Sequence, residues 1–344
     1  MSVPDPAAPR KPRRLALYAP FVLALVLAIA WSAYWWMARS RTAQGLEDNA
    51  AAMREAGYEV AWESAKVGGY PFRVSVVLTG ARVRDPSGWG LAAPRLEAES
   101  FLHGLGHWVM AAPQGLTVER PEGGAVNVTG KVLRASLGKL EKRPPSFSFE
   151  GADVAFAPAP GARPFSLSAA KKLELHLRPG PDDQGAVMFR VDDGRGGSAS
   201  VLGRIAGEKP VTLLWDSTLS RMSAFEGANW TSAARAWSQG GGTIVLRQAG
   251  VTAGDAALNV QSGSLAAGGD GRLRGDLAIE LRGAPLVASA AVQSGLLPPE
   301  TAETAAAVLG ARQGSGEAAR ADLVFQAGRV TIGPVALGPA PRLY

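Results

Sequence analysis

Hydrophobic and polar positions fall into three regimes along this chain. From Leu15 to Met37 the sequence LALYAPFVLALVLAIAWSAYWWM is apolar and carries no charge. At a helical rise of 1.5 Å per residue it spans roughly 34 Å, enough for a hydrocarbon core of about 30 Å. A transmembrane helix over 15–37 is therefore predicted. Next, Leu46, Ala50 and Met53 recur at helical spacing, which predicts a helix over Thr42–Ala56 capped by Gly57. Beyond Gly57 the period drops to two. Tyr58, Val60 and Trp62 alternate with polar neighbours, Gly68-Gly69 turns the chain, and Phe72, Val74, Val76 and Leu78 lead the return. The apolar phase shifts at Gly80, which predicts a bulge.

The same alternation recurs to the end of the chain. Strands are predicted over Arg95–Phe101, Trp108–Glu119 and Val126–Leu137. They continue through Phe147 and Phe149, then Val154 and Phe156 in a new phase, Leu173, Leu175 and Leu177, Val187–Val191, and Val211–Trp215. Asp182-Asp183 and Asp192-Asp193-Gly194 read as loop tips. Asn229 is placed to cap a helix carrying Trp230, Ala233, Ala234 and Trp237, and Gly240-Gly241-Gly242 ends it. Further strands are predicted at 243–246, 256–260, 263–266, 276–281, 287–292, 322–326 and 329–332, with a helix over Glu300–Ala311. Gly333-Pro334 and Gly338-Pro339 argue against pairing after that. The expected fold is mainly β with a few helices (α+β): an N-terminal transmembrane helix, then a long, curved antiparallel sheet or open β-sandwich. Four segments are expected: a disordered cytoplasmic tail over 1–14, the membrane helix over 15–37, a β-rich lobe over 42–228 and a second over 229–344.

Charge sets the orientation. Arg10, Lys11, Arg13 and Arg14 precede the apolar run, and Arg39 and Arg41 follow it. The heavier cluster belongs in the cytoplasm, which puts the body on the far side of an inner membrane, in the periplasm. Trp31, Tyr34, Trp35 and Trp36 crowd the outer end, where aromatic rings favour the headgroup level. A cleaved leader ending at Ala28-Ile29-Ala30 is the competing reading; the run continues past it into the aromatic anchors, which favours a retained signal anchor. The net charge of +6 comes almost wholly from the first 41 residues, leaving 30 basic against 29 acidic side chains in the body. That body has no broad basic field for nucleic acid. The absence of cysteine excludes disulfides and thiolate chemistry, and 42 glycines with 24 prolines suit many strands joined by turns.

No motif specifies catalysis, so no enzyme activity, cofactor or metal is expected. His103 and His107 have zinc-like spacing, but Gly104 and Gly106 oppose a helix there, and on a strand the two would stand roughly 13 Å apart. Glu97 and Glu99 share a strand face and read as solvated. The segment Gly69-Tyr70-Pro71-Phe72-Arg73 stands out. Proline there restricts Tyr70 and suits the first position of a strand, Phe72 is expected inward and Arg73 outward, and a cis Tyr70–Pro71 bond fits the turn.

An anchor, a short helix and then Gly-Tyr-Pro-Phe-Arg resemble an uncharacterised proteobacterial membrane-anchored family that bears this signature. The closing Ala327-Gly328-Arg329-Val330-Thr331-Ile332-Gly333-Pro334 resembles its C-terminal end. That family brings no established activity. More distantly, the layout is similar to AsmA-type envelope proteins, which implies a role in outer-membrane lipid homeostasis. The expected function is accordingly non-enzymatic cell-envelope biogenesis, with lipid acyl chains held in a groove of the sheet. Candidate liners are Phe72, Val74, Val76, Phe147, Phe149, Leu173, Leu175 and Leu177. The alternatives are a scaffold that pairs with another envelope protein through a sheet edge and, less favoured, an envelope hydrolase.

Overall fold

The computed structural model of the chain describes residues 15–312 and 318–344. The tail expected at 1–14 lies outside them. The apolar run and the helix expected to continue outward from it form one element, α1 (Leu15–Glu55), 41 residues long. Residues 38–41 hold no glycine or proline, so nothing interrupts the backbone ladder between the apolar run and the polar extension. Gly57 ends it as expected, at φ 92°. Its N–H bonds Arg54 O and the Tyr58 N–H bonds Met53 O, both at 3.0 Å, which is the Schellman pattern.

The chain then builds β1 (Glu59–Ala61), β2 (Ser64–Gly68), β3 (Arg73–Arg84), β4 (Gly90–Phe101), β5 (Trp108–Ala111), β6 (Leu116–Arg120), β7 (Gly124–Thr129), β8 (Val132–Gly138) and β9 (Ser146–Pro158). There follow β10 (Leu167–Pro179), β11 (Gly185–Gly196), α2 (Val201–Ala206), β12 (Val211–Leu219), α3 (Trp230–Gln239), β13 (Thr243–Ala253), β14 (Ala256–Ala267) and β15 (Leu273–Arg282). The last elements are α4 (Ala284–Gln293), α5 (Pro299–Ala311), β16 (Ala318–Gln326), β17 (Arg329–Ile332) and β18 (Val335–Pro339). Among the described residues all 18 strands belong to one antiparallel sheet. From β9 to β18 it is a simple meander. At the N-terminal end β1 and β2 lie on β3, and the far edge of β4 is shared by β5 and β6. Those continue through β8 and β7 onto β9.

Several elements differ from expectation for identifiable reasons. Pro113 and Gly115, at φ 82°, split Trp108–Glu119 into β5 and β6, and Gly130 splits Val126–Leu137 into β7 and β8. Asp182 and Asp183 do form a tip, but Asp192-Asp193-Gly194 lies inside β11 as a bulge, with Asp193 at φ 47°. The segment 287–292 belongs to α4, because its alanines favour helix and Pro285 sits in the first turn. At Gly80 the register does not slip; a left-handed φ of 60° turns the strand while Thr79↔Arg95 and Ala81↔Ala93 stay paired. β18 pairs despite its flanking prolines, because it is an edge strand that needs to bond on one side only. The lobe boundary expected at 228/229 falls at the start of α3, between β12 and β13, which pair with each other.

The sheet curls back on itself. α3 is inserted between strands far along the meander from β3, yet its Asn229 cap donates from Nδ2 to Ala56 O (3.5 Å) at the end of α1. Next to it, Trp230 Nε1 donates to Leu343 O (2.9 Å). The start of α3 thus meets the chain both before β1, at Ala56, and after β18, at Leu343.

Candidate functional site

At the anchor end, the Gly69–Arg73 turn is bound to α1 through polar atoms. Gly69 stands at φ 102°, where an added Cβ would meet Arg73 O at 2.8 Å, so glycine is required. The Tyr70–Pro71 bond is cis. Trp31 Nε1 donates to Pro71 O and Trp35 Nε1 to Arg73 O, both at 2.8 Å. Tyr70 Oη and Ser32 Oγ share a hydrogen bond of 3.0 Å, and Arg39 Nε donates to Val67 O at 3.0 Å. The Tyr70 ring meets Trp35 edge-on, with centroids 5.3 Å apart. Trp35, Ala38, Val74 and Leu102 are the buried centre of this junction.

Phe72 does not point inward: it is 66% exposed, whereas Val74 and Val76 are buried. The pleat begins at Arg73, so Phe72 belongs to the turn and escapes the alternation. Arg73 is outward, as expected. It pairs with Glu99 (2.9 Å) and lies over the Phe101 ring at 5.2 Å.

From this junction one apolar row crosses the sheet. Directly opposed residues on successive strands are Val67, Val76, Ala98, Met110, Ala135, Phe149, Leu175, Phe189, Trp215, Ala249, Val260, Ile279 and Ala321. No polar side chain interrupts it over β2 to β16, about 58 Å at ~4.8 Å per strand. A second row, Leu173, Val191, Leu213, Val251, Leu258 and Leu281, runs beside it on the same face from β10 to β15. The opposite face is charged: Arg134, Glu150, Glu174 and Arg190 form the corresponding row, with Arg134 and Glu150 paired at 2.7 Å.

Of the predicted liners, Val76, Phe149 and Leu175 lie in the first row, and Leu173 opens the second. Phe147 and Leu177 oppose each other one pleat further on, with Phe149 and Leu175 half-buried. Val74 is enclosed under α1, and Phe72 lies off the row.

Toward β16 both rows enter a cavity of about 370 Å³. Its floor is Val251, Leu258, Ile279 and Leu281; its cover is Leu202 and Ile205 of α2, Val287 and Ala291 of α4, and Ala302, Ala305 and Leu309 of α5. All 22 lining residues are apolar. The cavity lies where the core around β9–β13 meets the core around β13–β18. Its size falls within the range of roughly 300–1,000 Å³ usual for small-molecule sites. Sequence reasoning missed this cavity because α2 and α4 were not foreseen; the alanine-rich run 284–291 was the available signal.

Titratable groups do not gather here. His103 and His107 are exposed in the turn after β4, His103 stacked on Phe101 at 5.4 Å. Glu97 and Glu99 each hold an arginine, Arg95 and Arg73. Among the described residues no three His, Asp or Glu side chains converge as metal ligands would. Two carboxylates elsewhere are shifted: a hydrogen bond from Lys209, at 2.6 Å, holds Asp255 below its usual range, and Asp85 near Tyr58 is lowered too. Burial raises the Tyr58 phenol, and Asp85 adds to the rise. Burial also pushes Asp85 upward, but hydrogen bonds from Ser87, one of them backbone N–H to Oδ1 at 2.7 Å, outweigh it and hold the carboxyl below its usual range.

A family model described as an uncharacterized protein conserved in bacteria, DUF2125, matches residues 35–341. The chain belongs to this family. The match begins at Trp35, the indole that holds the Gly69–Arg73 turn, so the DUF2125 unit includes the C-terminal half of α1 together with the whole sheet. No curated protein and no solved structure matches the chain. α1 is long and apolar enough to cross a membrane, with only 11% of its most apolar window buried.

Proposed function

We propose that this DUF2125 protein is a non-enzymatic component of the bacterial cell envelope, anchored in the inner membrane by α1, that holds lipid acyl chains against the apolar face of its periplasmic sheet. The observation that carries this reading is the uninterrupted row from Val67 beside α1 to Ile279 in the cavity wall. A lining without hydrogen-bonding side chains favours hydrocarbon over any ligand that depends on polar contacts. The bilayer that α1 is suited to span supplies such chains. The basic cluster before Leu15 supports the orientation.

The test is photolabelling of the intact chain in detergent with a photoreactive fatty acid. Adducts are expected on α4 and α5 peptides, and Ala291→Trp, which fills the cavity, should lower them about tenfold, given the volume an indole occupies. Adducts confined to α1, unchanged by Ala291→Trp, would reject the reading. A reporter fused after Tyr344 tests the side of the membrane; activity in the cytosol would reject the envelope assignment.

Edge pairing with another protein is less well supported. Arg54 Nε and Arg39 Nε already occupy the carbonyls of Val60 and Val67 on the β1–β2 edge, and the β18 edge is five residues long and ends in Pro339.

A further inference from the structure

The apolar run of α1 ends at Met37, yet the Gly69–Arg73 turn reaches back to Trp31 and Ser32. Six residues of helix place Trp31 about 9 Å below Met37 along the axis. That is the depth at which interfacial segments lie, about 5–10 Å into the headgroup and acyl boundary. The turn brings apolar surface with it: Tyr70 is 57% exposed, Phe72 66% and Phe101 52%. The last two are neighbours, since the Leu102 N–H bonds Phe72 O (3.0 Å) and Arg73 opposes Phe101 in the ladder. Arg73 lies over Phe101 and, on α1, Arg39 lies over Trp36, each 5.2 Å from the ring centroid. Aromatic rings at the tip with arginines behind them match the layering of acyl chain, headgroup and phosphate. Phe72 lies against Trp31 of α1, with ring centroids 6.3 Å apart, and Phe101 against His103, yet each keeps more than half of its surface open, apolar area that fastening the turn does not use.

We propose that the Gly69–Arg73 turn and the adjacent Phe101 form a lip immersed in the headgroup layer of the leaflet from which α1 emerges, with a phospholipid bilayer as its partner. The lip sets the start of the apolar row, at Val67 and Val76, beside the lipid. It rests on α1 spanning the bilayer and does not depend on what the cavity holds.

The chain has no cysteine, so a single one can be labelled cleanly. Phe72→Cys and Phe101→Cys in the full chain, each carrying an environment-sensitive bimane, are reconstituted into vesicles of phosphatidylcholine and phosphatidylglycerol. Trp89→Cys, 53% exposed at the other end of the β3–β4 pair, is the reference. Lipid-borne nitroxide is expected to quench the labels at 72 and 101 about twofold or more while leaving 89 untouched, and aqueous iodide to do the reverse, as immersion to that depth requires. Iodide quenching at 72 and 101 equal to that at 89 would overturn the lip. Shielding from both quenchers would also overturn it, because it would mean a protein cover. Two positions guard against one variant being misfolded. An immersed lip with an unlabelled cavity would reject lipid holding alone.

Discussion

The two ends of the apolar row are covered in opposite ways. At the anchor, large aromatic side chains fill the contact, and their polar atoms are spent on backbone carbonyls: Trp31 on Pro71, Trp35 on Arg73. At the cavity the covering helices present mainly small side chains, among them Ala284, Ala288, Ala291, Ala302, Ala305 and Ala306. An indole that both packs and donates fixes one geometry. An alanine packed against a sheet keeps the helix near but leaves volume unfilled. The same strand alternation thus supports a fixed joint at one end and room for a guest at the other. Side-chain size on the covering helix, not the sheet, makes the difference.

The largest expected effect falls on the joint. Trp35→Ala removes a side chain that is 8% exposed together with its bond to Arg73 O, and should cost about 3–5 kcal/mol, read from urea unfolding in micelles. A loss below about 1 kcal/mol would mean that the turn is held mainly by the rest of its contacts. Next comes a change between the two ends. Phe189→Asp puts a carboxylate in the middle of the row, and desolvating it is costly for any passing chain. Transfer of a labelled fatty acid from vesicles should slow several-fold, while labelling of the cavity from detergent solution is retained; equal rates would show that the cavity fills by another way. The smallest effect lies at the junction of α1, β3 and α3. The Asp85 carboxyl is held below its ordinary value, so its contribution is complete above the usual carboxylate pKa of about 3.9 and is lost as pH falls through the lower folded value. Asp85→Asn should lower the neutral-pH melting temperature slightly, to the level the wild type reaches in acid, and so flatten that acid limb of the melting temperature against pH.

Period-two alternation made the sheet legible. Leu173, Leu175 and Leu177 predict both the strand and the face they share, because the pleat repeats every two residues whatever lies nearby. A helix long and apolar enough to cross a membrane was readable for a similar reason, length against bilayer thickness. What could not be read depends on residues distant in sequence. Phe72 sits one position before the pleat starts, so its direction follows from the grip of Trp31 and Trp35 on the turn, some 38–40 positions away. The run 287–292 carries local helix signals, its alanines and Pro285 in the first turn, but its apolar pattern suits strand and helix alike. The cavity combines both problems, since it exists only where the helices meet the rows.

One consequence concerns the order in which the body is threaded. Ala56, where the body begins, and Leu343, where it ends, both bond to the start of α3, at Asn229 and Trp230. Splicing Tyr344 to Gly57 through a short linker and opening the chain at an exposed hairpin tip would therefore give a circular permutant, freed of its anchor, that keeps every strand neighbour. Its solubility and cooperative melting would show whether the body needs the bilayer to fold or only to work.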